Sequence, residues 1–267
     1  MRDASAFRAL EKPANPPSLE GLMTKPTHSY PDRPIRPELI RNANLLTVFL
    51  EADPAAVGAR LPSGLSPRPD GRVVLNVWSH DDPNQMTGFG GLGPMSVCYL
   101  AVEVAGQDGA SADGSVHFPG RFWVHHWSSS DRARAYALAA SGLLISPGET
   151  TVEIVDDRFI ARLVVDGRTQ IAASARIGRQ MLGTMSGYSI YYAERDNGEG
   201  GAEVAQFEVP WVSDAFDAES ASVEFLFEDG AAPWRLVGNR QPTVLGVSYR
   251  RITLVPYLAQ RTIVAAV

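Results

Sequence analysis

The fold of this chain is decided by residues 119–148, which read PGRFWVHHWSSSDRARAYALAASGLLISPG. Aromatic, β-branched and imidazole side chains over Phe122–Trp127 suit a pleated, half-buried surface, so this part predicts a strand. Three serines and Asp131 then supply turn and helix-capping residues. The alanine-rich run that follows predicts a helix over Asp131–Ser141, which Gly142 ends.

The segments on both sides of this strand and helix mostly predict further strands. Asp53 begins a short helix that continues to Leu61. Periodicity and turn residues predict strands at Asn44–Glu51, Arg72–His80, Met95–Val104, Thr150–Val155, Arg158–Val165, Thr169–Ile177, Tyr188–Ala193, Val204–Val209, Ser222–Phe227 and Thr243–Leu254. A polar, glycine-rich hairpin loop is expected over Gly106–Gly114. Many short strands with one main internal helix favour a large closed or double barrel over a sandwich.

The N-terminal 37 residues differ from the rest of the chain, because seven prolines interrupt them and prevent regular pairing. The sequence therefore predicts a proline-rich arm over residues 1–37 and a single β-barrel domain over residues 38–267. Two interpretations of the arm stay open. It lies extended on the body or on the partner in a homo-oligomer, or it forms a lid over a cavity.

The overall composition sets limits on partners and compartment. The 267 residues are 45% hydrophobic and 20% charged, as in an ordinary globular protein. The net charge of −6 disfavours nucleic acid and anionic membrane surfaces as partners. No apolar run approaches the roughly 18 residues of a membrane span. A single cysteine, Cys98, cannot form an internal disulfide, which favours a cytoplasmic setting.

The sequence predicts that the protein uses no cofactor and no metal. Its only lysines, Lys12 and Lys25, lie in the arm, so the body holds no amine nucleophile. Gly88–Gly93 matches G-x-G-x-x-G, but a loop precedes it and a strand follows, which is the wrong context for a dinucleotide. The histidines lack metal-ligand spacing, because His125 and His126 are adjacent in a strand. No G-x-S-x-G motif supports a serine triad.

Three features together resemble the acetoacetate decarboxylase-like superfamily over roughly residues 44–177. They are LTVFLEADPAAVGARLPSGL at Leu46–Leu65, GLGP at Gly91–Pro94, and the central strand and alanine-rich helix followed by a meander. The resemblance implies a mainly β (β-rich α+β) fold, an antiparallel double β-barrel around a buried cavity with one main internal helix.

The same resemblance identifies two departures that affect function. Decarboxylases of that family use a cavity lysine as a Schiff base after the central helix, whereas residues 141–146 here read SGLLIS. The glutamate of the family pattern G-L-G-x-Y-x-E is replaced by Val97. These departures imply that the fold is kept while the Schiff-base chemistry is replaced.

Side chains that alternate along the strands define the candidate site. One face of the central strand is predicted to carry Arg121, Trp123, His125 and Trp127, and the other face is predicted to carry His126. An apolar, aromatic pocket with a few polar groups is the usual make-up of a small-molecule site. The catalytic candidates are His125, Arg121, Tyr99 and Glu103, and the substrate-binding candidates are Trp78, Asn76, Trp123, Trp127 and Tyr136. Each polar candidate also has a purely structural interpretation. His125 can be a hydrogen-bonded residue of the core, Glu103 a charge at the rim of the barrel, and Arg121 the ion-pair partner of an acid.

The leading hypothesis for function is a cofactor-independent natural-product tailoring enzyme. It would be a cyclase or isomerase that selects a reactive conformer of a hydrophobic polyketide-like or terpenoid substrate in the barrel cavity. One alternative is a lysine-independent aldolase, decarboxylase or hydrolase that uses Glu103 or His125. The other is a hydrophobic ligand-binding protein without catalysis.

Overall fold

A computed structural model describes residues 39–81, 93–196, 202–228, 233–255 and 259–264. The predicted arm, with both lysines, lies outside the described residues, and so does most of the glycine-rich loop that precedes Gly93. No helix in these described ranges is long and apolar enough to cross a membrane.

Strands dominate the described part of the chain, and α2 is its longest helix. In chain order the elements are β1 (Ile40–Leu50), α1 (Pro54–Arg60), β2 (Ser66–Pro67), β3 (Val73–His80), β4 (Met95–Ser111), β5 (His117–Ser128), α2 (Asp131–Ser141), β6 (Ser146–Pro147), β7 (Glu149–Val155), β8 (Arg158–Val165), β9 (Arg168–Asp196), β10 (Ala202–Phe225), a 3₁₀ helix (Pro233–Val237), β11 (Val244–Leu254) and β12 (Ala259–Val264). This content confirms the predicted β-rich fold with one main internal helix.

Seven strands close into a barrel. Hydrogen-bonded neighbours follow the order β10, β11, β1, β3, β4, β5 and β9, and β9 then pairs with β10 to complete the ring. Within this ring the ladders are antiparallel except for a short parallel one, in which Arg121 and Phe122 of β5 face Tyr191 and Tyr192 of β9. β7 and β8 extend the sheet from the first part of β9.

β9 and β10 correct the predicted strand boundaries. The sequence predicts separate strands at Thr169–Ile177 and Tyr188–Ala193, but β9 is one strand of 29 residues. Its glycine-containing middle stays paired with β10, for example Met181 with Phe216 and Ser186 with Val212. The ladder to a distant strand therefore overrides local residue types that are typical of a turn.

β4 also continues beyond its predicted end at Val104. It runs to Ser111 and pairs again with β5 through Gly109 and Phe118, so the predicted loop over residues 106–114 is wrong in its first part. A Cβ at Gly109 would lie 2.3 Å from the carbonyl oxygen of Tyr188 in β9. Glycine is required there because two backbones approach each other closely.

Helix α2 matches its predicted limits. The Ser130 hydroxyl accepts a hydrogen bond from the backbone N–H of Ala133 at 3.2 Å, and Gly142 ends the helix with φ 67°. A serine N-cap and a glycine in the left-handed conformation are the usual ends of a helix. Ala133 and Ala137 pack into the core of the barrel interior.

Two separate cores lie on the two faces of the barrel strands. The outer core packs the barrel against the β7–β8–β9 sheet and includes Leu46, Leu75 and Leu100. The inner core lines the barrel and includes Trp78, Tyr99 and Trp123. Along β3 and the first part of β4 neighbouring side chains belong to opposite cores, as the two-residue period of a strand requires.

Candidate active site

The barrel interior encloses a cavity of about 230 Å³. Seven strands contribute to its wall, and aromatic side chains form much of it. The described residues that line it are Leu45, Thr47, Phe49, Asn76, Trp78, Tyr99, Phe118, Arg121, Trp123, His126, Ser189, Tyr191, Val209, Trp211, Ser248, Arg250, Ile252 and Leu254. An apolar wall with few polar groups is typical of a small-molecule site.

The polar groups of the wall form one row across the sheet. Strand register places Ser248 opposite Thr47, Thr47 opposite Asn76, Asn76 opposite Tyr99, and Tyr99 opposite His126. Directly opposed residues on one face of a sheet are close neighbours. Five neighbouring strands therefore each present one hydrogen-bonding side chain to the same level of the cavity.

Two hydrogen bonds hold members of this polar row. The Thr47 hydroxyl donates to Asn76 Oδ1 at 2.7 Å, which fixes the amide and leaves Asn76 Nδ2 buried with no partner in the described part of the chain. The hydroxyls of Tyr99 and Tyr191 are 2.9 Å apart, and either can be the donor. Tyr191 also stacks on Trp123, with ring centroids 4.6 Å apart. The phenol pair is thus held rigidly against an aromatic wall.

His126 lies among aromatic rings at the end of the polar row. Its ring centroid is 5.2 Å from that of Trp123 and 5.5 Å from that of Tyr99. Burial lowers the pKa of His126 to about 3, so the imidazole is neutral at ordinary pH. A neutral imidazole has one N–H donor and one acceptor nitrogen. His126 therefore suits hydrogen bonding to an uncharged ligand group better than it suits removal of a proton.

Two arginines reach the cavity from β5 and β11. In the described ranges neither Arg121 nor Arg250 forms an ion pair with a carboxylate. Arg250 donates long hydrogen bonds to two hydroxyls of the described residues, at 3.3 Å to Ser248 Oγ and at 3.5 Å to Ser213 Oγ. Burial, and secondly the charge of Arg121, lowers the pKa of Arg250, although an arginine stays protonated. The cavity wall thus carries positive charge without a matching carboxylate from the described chain.

A β-bulge reverses the expected positions of the two histidines. Along the β4–β5 ladder Leu100 pairs with His125 and Ala101 pairs with Trp123, so Val124 is an extra residue in β5. A bulge of this kind shifts the alternation of side chains by one position. His126 consequently joins Trp123 on the cavity wall, and the predicted placement of His125 there is wrong.

His125 and Trp127 instead face the outer core. Their rings stack with centroids 5.3 Å apart, and Trp127 belongs to the outer core together with Phe122 and Val124. Burial, followed by the charge of Arg60, lowers the pKa of His125 to about 4. The predicted role of Trp127 in the cavity wall is therefore wrong for the same reason as that of His125.

Two further candidates do not line the cavity. Glu103 lies opposite Arg121 in the ladder, but its buried carboxylate accepts two hydrogen bonds from Arg72, at 2.8 and 2.9 Å. This bidentate pair uses both carboxylate oxygens. Tyr136 is buried on α2, away from the cavity wall. The candidates Asn76, Trp78, Tyr99, Arg121 and Trp123 do lie together on the wall.

Several cavity residues are absent from the sequence-based candidates. Thr47, Tyr191, Trp211 and Arg250 come from β1, β9, β10 and β11, which are far apart in sequence. The one available signal was alternation in β1, where Leu45, Thr47 and Phe49 share a face opposite to Leu46 and Val48. Within the described residues no group of three or more His, Cys, Asp or Glu side chains could hold a metal.

Comparison with solved structures defines the fold class as that of acetoacetate decarboxylase. The acetoacetate decarboxylase from Legionella pneumophila superposes with a TM-score of 0.65 at 14% identity, covering 96% of this chain and 99% of that chain. The enduracididine biosynthesis enzyme MppR with bound HEPES gives 0.59 at 15% identity, covering 86% and 88%. An acetoacetate decarboxylase-like enzyme from Sphingomonas wittichii RW1 gives 0.55 at 13% identity, covering 86% and 93%.

These similarities confirm the predicted double-barrel architecture, and at such low identities they establish the fold alone. No protein-family model matches the chain. No curated protein matches it either.

Proposed function

We propose that this chain is a cofactor-independent enzyme that closes a ring in, or isomerises, a small and largely apolar carbonyl compound by proton transfer in the barrel cavity. The observation that carries the proposal is the row of hydrogen-bonding side chains on an otherwise aromatic wall. Burial of such a row lowers the stability of the fold unless a ligand forms hydrogen bonds with it, because unpaired polar atoms destabilise a core. Among polyketide-like or terpenoid substrates the cavity favours small ones, since drug-sized ligands need about 300–1,000 Å³.

The phenol pair is the proposed proton-transfer group. The hydroxyl of one tyrosine can donate to the oxygen of the other, which stabilises a phenolate formed within the pair. The phenolate takes a proton from a carbon next to a carbonyl, and the C–H electron pair forms the enolate. Return of that proton to another carbon completes an isomerisation. Attack of the enolate carbon on a second carbonyl, which then takes the proton, closes a ring.

The neutral groups of the row stabilise the enolate oxygen. Asn76 Nδ2 has no other partner in the described part of the chain, and Thr47 holds the amide so that this nitrogen is the free end. His126 supplies a second neutral donor. Donors that are held in place before the reaction stabilise developing charge without reorganisation. The stacked Trp123 and Tyr191 restrict the conformers that a bound substrate can adopt.

Deuterium uptake tests this mechanism even while the product is unidentified. We would incubate the protein in D₂O with phenylpyruvate, benzoylacetate and their methyl esters, and follow the exchange of the C–H protons by NMR. Catalysed exchange that falls about 10²–10⁴-fold in Tyr99→Phe is expected. Tyr249→Phe is the matched control, because Tyr249 donates to Asn44 in the outer core. Equal loss in both variants, or no catalysed exchange with any compound, would contradict the proposal.

A lysine-independent aldolase-type lyase is the second candidate. One observation favours it: structures with this fold include MppR complexed with pyruvate and with the condensation product of pyruvate and imidazole 4-carboxaldehyde. An enolate formed by the phenol pair can attack an aldehyde as well as an internal carbonyl. Incubation with pyruvate and an aromatic aldehyde distinguishes the two, because a lyase forms an intermolecular carbon–carbon bond. Binding without exchange or bond formation would instead identify a ligand carrier.

A further inference from the structure

We infer that the cavity binds a monocarboxylate whose apolar part is about the size of one aromatic ring, with Arg121 and Arg250 as the partners of the carboxylate. The inference deepens the proposed function, on which it rests in placing the ligand in the same cavity. It adds the charge and the size of that ligand, which the polar row alone does not define.

Arg121 and Arg250 are half-buried in the cavity wall, and neither has a carboxylate partner among the described residues. Glu103 is the acid opposite Arg121 in the ladder, but both of its oxygens are used by Arg72. The residue opposite Arg250 in β10 is Ala215, which carries no charge. Arg121 Nε is buried and has no hydrogen-bond partner in the described part of the chain. A buried charge without a partner is costly, so one negative charge from a ligand would complete the site.

The two guanidinium groups are close enough to interact, since the charge of Arg121 contributes to the lowered pKa of Arg250. The Cζ atom of each lies over an aromatic ring, 5.7 Å from the centroid of Phe49 for Arg121 and 5.5 Å from that of Trp211 for Arg250. Stacking of this kind holds a guanidinium while leaving its N–H donors free in the plane. Guanidinium donors match the spacing of the two carboxylate oxygens.

The volume of the cavity limits the rest of the ligand. An apolar cavity of about 150 Å³ is enough to bind benzene. The present cavity of about 230 Å³ therefore holds one ring and a carboxylate, but not a large fused system. Trp123, Tyr191, Trp211 and Phe118 provide aromatic surfaces for such a ring.

Ligand-induced thermal stabilisation and calorimetric titration test the charge requirement on the full chain. The probes are benzoate, phenylacetate and phenylpyruvate, with benzamide as the neutral match to benzoate, benzylamine as the cationic match and inorganic phosphate as an anion without a ring. We expect at least one aromatic carboxylate to raise the Tm and to bind at least tenfold more tightly than benzamide, benzylamine or phosphate. Equal binding of benzamide or phosphate, or no binding of any carboxylate, would overturn the inference.

Charge-neutralising variants test which residues bind the carboxylate. Arg121→Gln and Arg250→Gln should each weaken binding about 10- to 100-fold, the usual effect of losing a hydrogen bond to a charged group. Arg179→Gln on the exposed surface of β9 is the control for net charge and should bind as wild type does. Without ligand, the two cavity variants should melt at the same temperature as wild type or higher, because each removes a like-charge repulsion.

A clear fall in the unliganded Tm of both cavity variants, with binding unchanged, would show that the arginines are structural and would overturn the inference. Failure of this inference can be distinguished from failure of the proposed function. If carboxylates bind but no exchange occurs, the inference holds and the proposed enzyme activity fails. If the methyl esters are turned over and carboxylates do not bind, the activity holds and the inference fails.

Discussion

The two faces of the barrel strands differ in chemistry although they alternate residue by residue. Outward side chains of β1, β3 and β4 are aliphatic and fully buried, as Leu46, Leu75 and Leu100 show. Inward side chains at neighbouring positions include Asn76 and Tyr99, and some of the buried polar atoms on this face have no partner in the described residues. The outer face therefore stabilises the fold, while the inner face keeps groups that stability alone would not select.

The largest expected effect is on the outer face and concerns stability. Phe159 is completely buried in the outer core and contacts Tyr249, so Phe159→Ala leaves a cavity that neighbours can only partly fill. We expect a loss of about 3–5 kcal/mol in the free energy of unfolding. Urea denaturation measures it.

Phe118→Ala is the matched change on the cavity wall. Phe118 is only half-buried, so the loss of stability should be clearly smaller than for Phe159→Ala, with a larger effect on ligand binding. Equal losses of stability in the two variants would mean that the inner face is packed as tightly as the outer one.

The second effect concerns catalysis and uses the two adjacent histidines. His126→Leu removes a neutral donor from the cavity and should lower turnover about 10²–10³-fold, the usual effect of losing one donor to a developing oxyanion. His125→Leu changes the outer core and should leave turnover per folded molecule near the wild-type value. Steady-state kinetics on samples matched for folded fraction decides between them. If the change at His125 lowered turnover and the change at His126 did not, the reaction would take place on the outer face of the strand and not in the cavity.

Strands β3, β4 and β5 show how far the sequence could predict the site. Alternation placed Asn76, Trp78 and Tyr99 correctly on one face, because a period of two follows from strand geometry alone. It failed beyond Trp123, since no residue type marks Val124 as a bulge. The bulge arises from pairing with β4, which is information outside the local segment.

Long-range pairing also explains the missed residues. Tyr191 and Arg250 reach the cavity only because β9 and β11 join the ring, and no local pattern specifies those neighbours. The fold itself was predictable because helix caps, turns and strand periodicity are local signals. Helix α2 follows that prediction most closely, because its serine N-cap and its glycine end are both local signals.

The third effect is the pH dependence of stability. The pKa of His126 falls from 6.5 to about 3 on folding, because burial disfavours the charged imidazole. Between these pH values the unfolded chain binds a proton that the folded chain does not, so stability is complete above pH 6.5 and falls as the pH is lowered. The loss between about pH 7 and pH 5 amounts to about 2 kcal/mol for one such histidine.

Urea denaturation of wild type and His126→Gln at both pH values measures this contribution. The variant should lose less stability on acidification, because it no longer has this titrating group. His125, whose pKa burial lowers to about 4, is present in both proteins and does not affect the comparison. Identical pH dependence in the two proteins would show that His126 is not held neutral in the folded state.

The smallest expected effect concerns the hydroxyls of two threonines. Thr47 lines the cavity, whereas Thr150 is buried elsewhere. The Thr47 hydroxyl bonds to Asn76 Oδ1, whereas the Thr150 hydroxyl is buried and has no partner in the described residues. Thr47→Val should therefore cost about 1 kcal/mol and release the amide, which lowers turnover without abolishing it. Thr150→Val removes an unsatisfied hydroxyl and should be neutral or slightly stabilising, with turnover unchanged. Because both changes are isosteric, melting curves and initial rates isolate the hydroxyl in each case.

If Thr150→Val proves the more costly, its hydroxyl has a partner after all. If Thr47→Val leaves turnover intact, Asn76 does not need to be held, and the polar row then acts by binding the ligand rather than by stabilising an enolate.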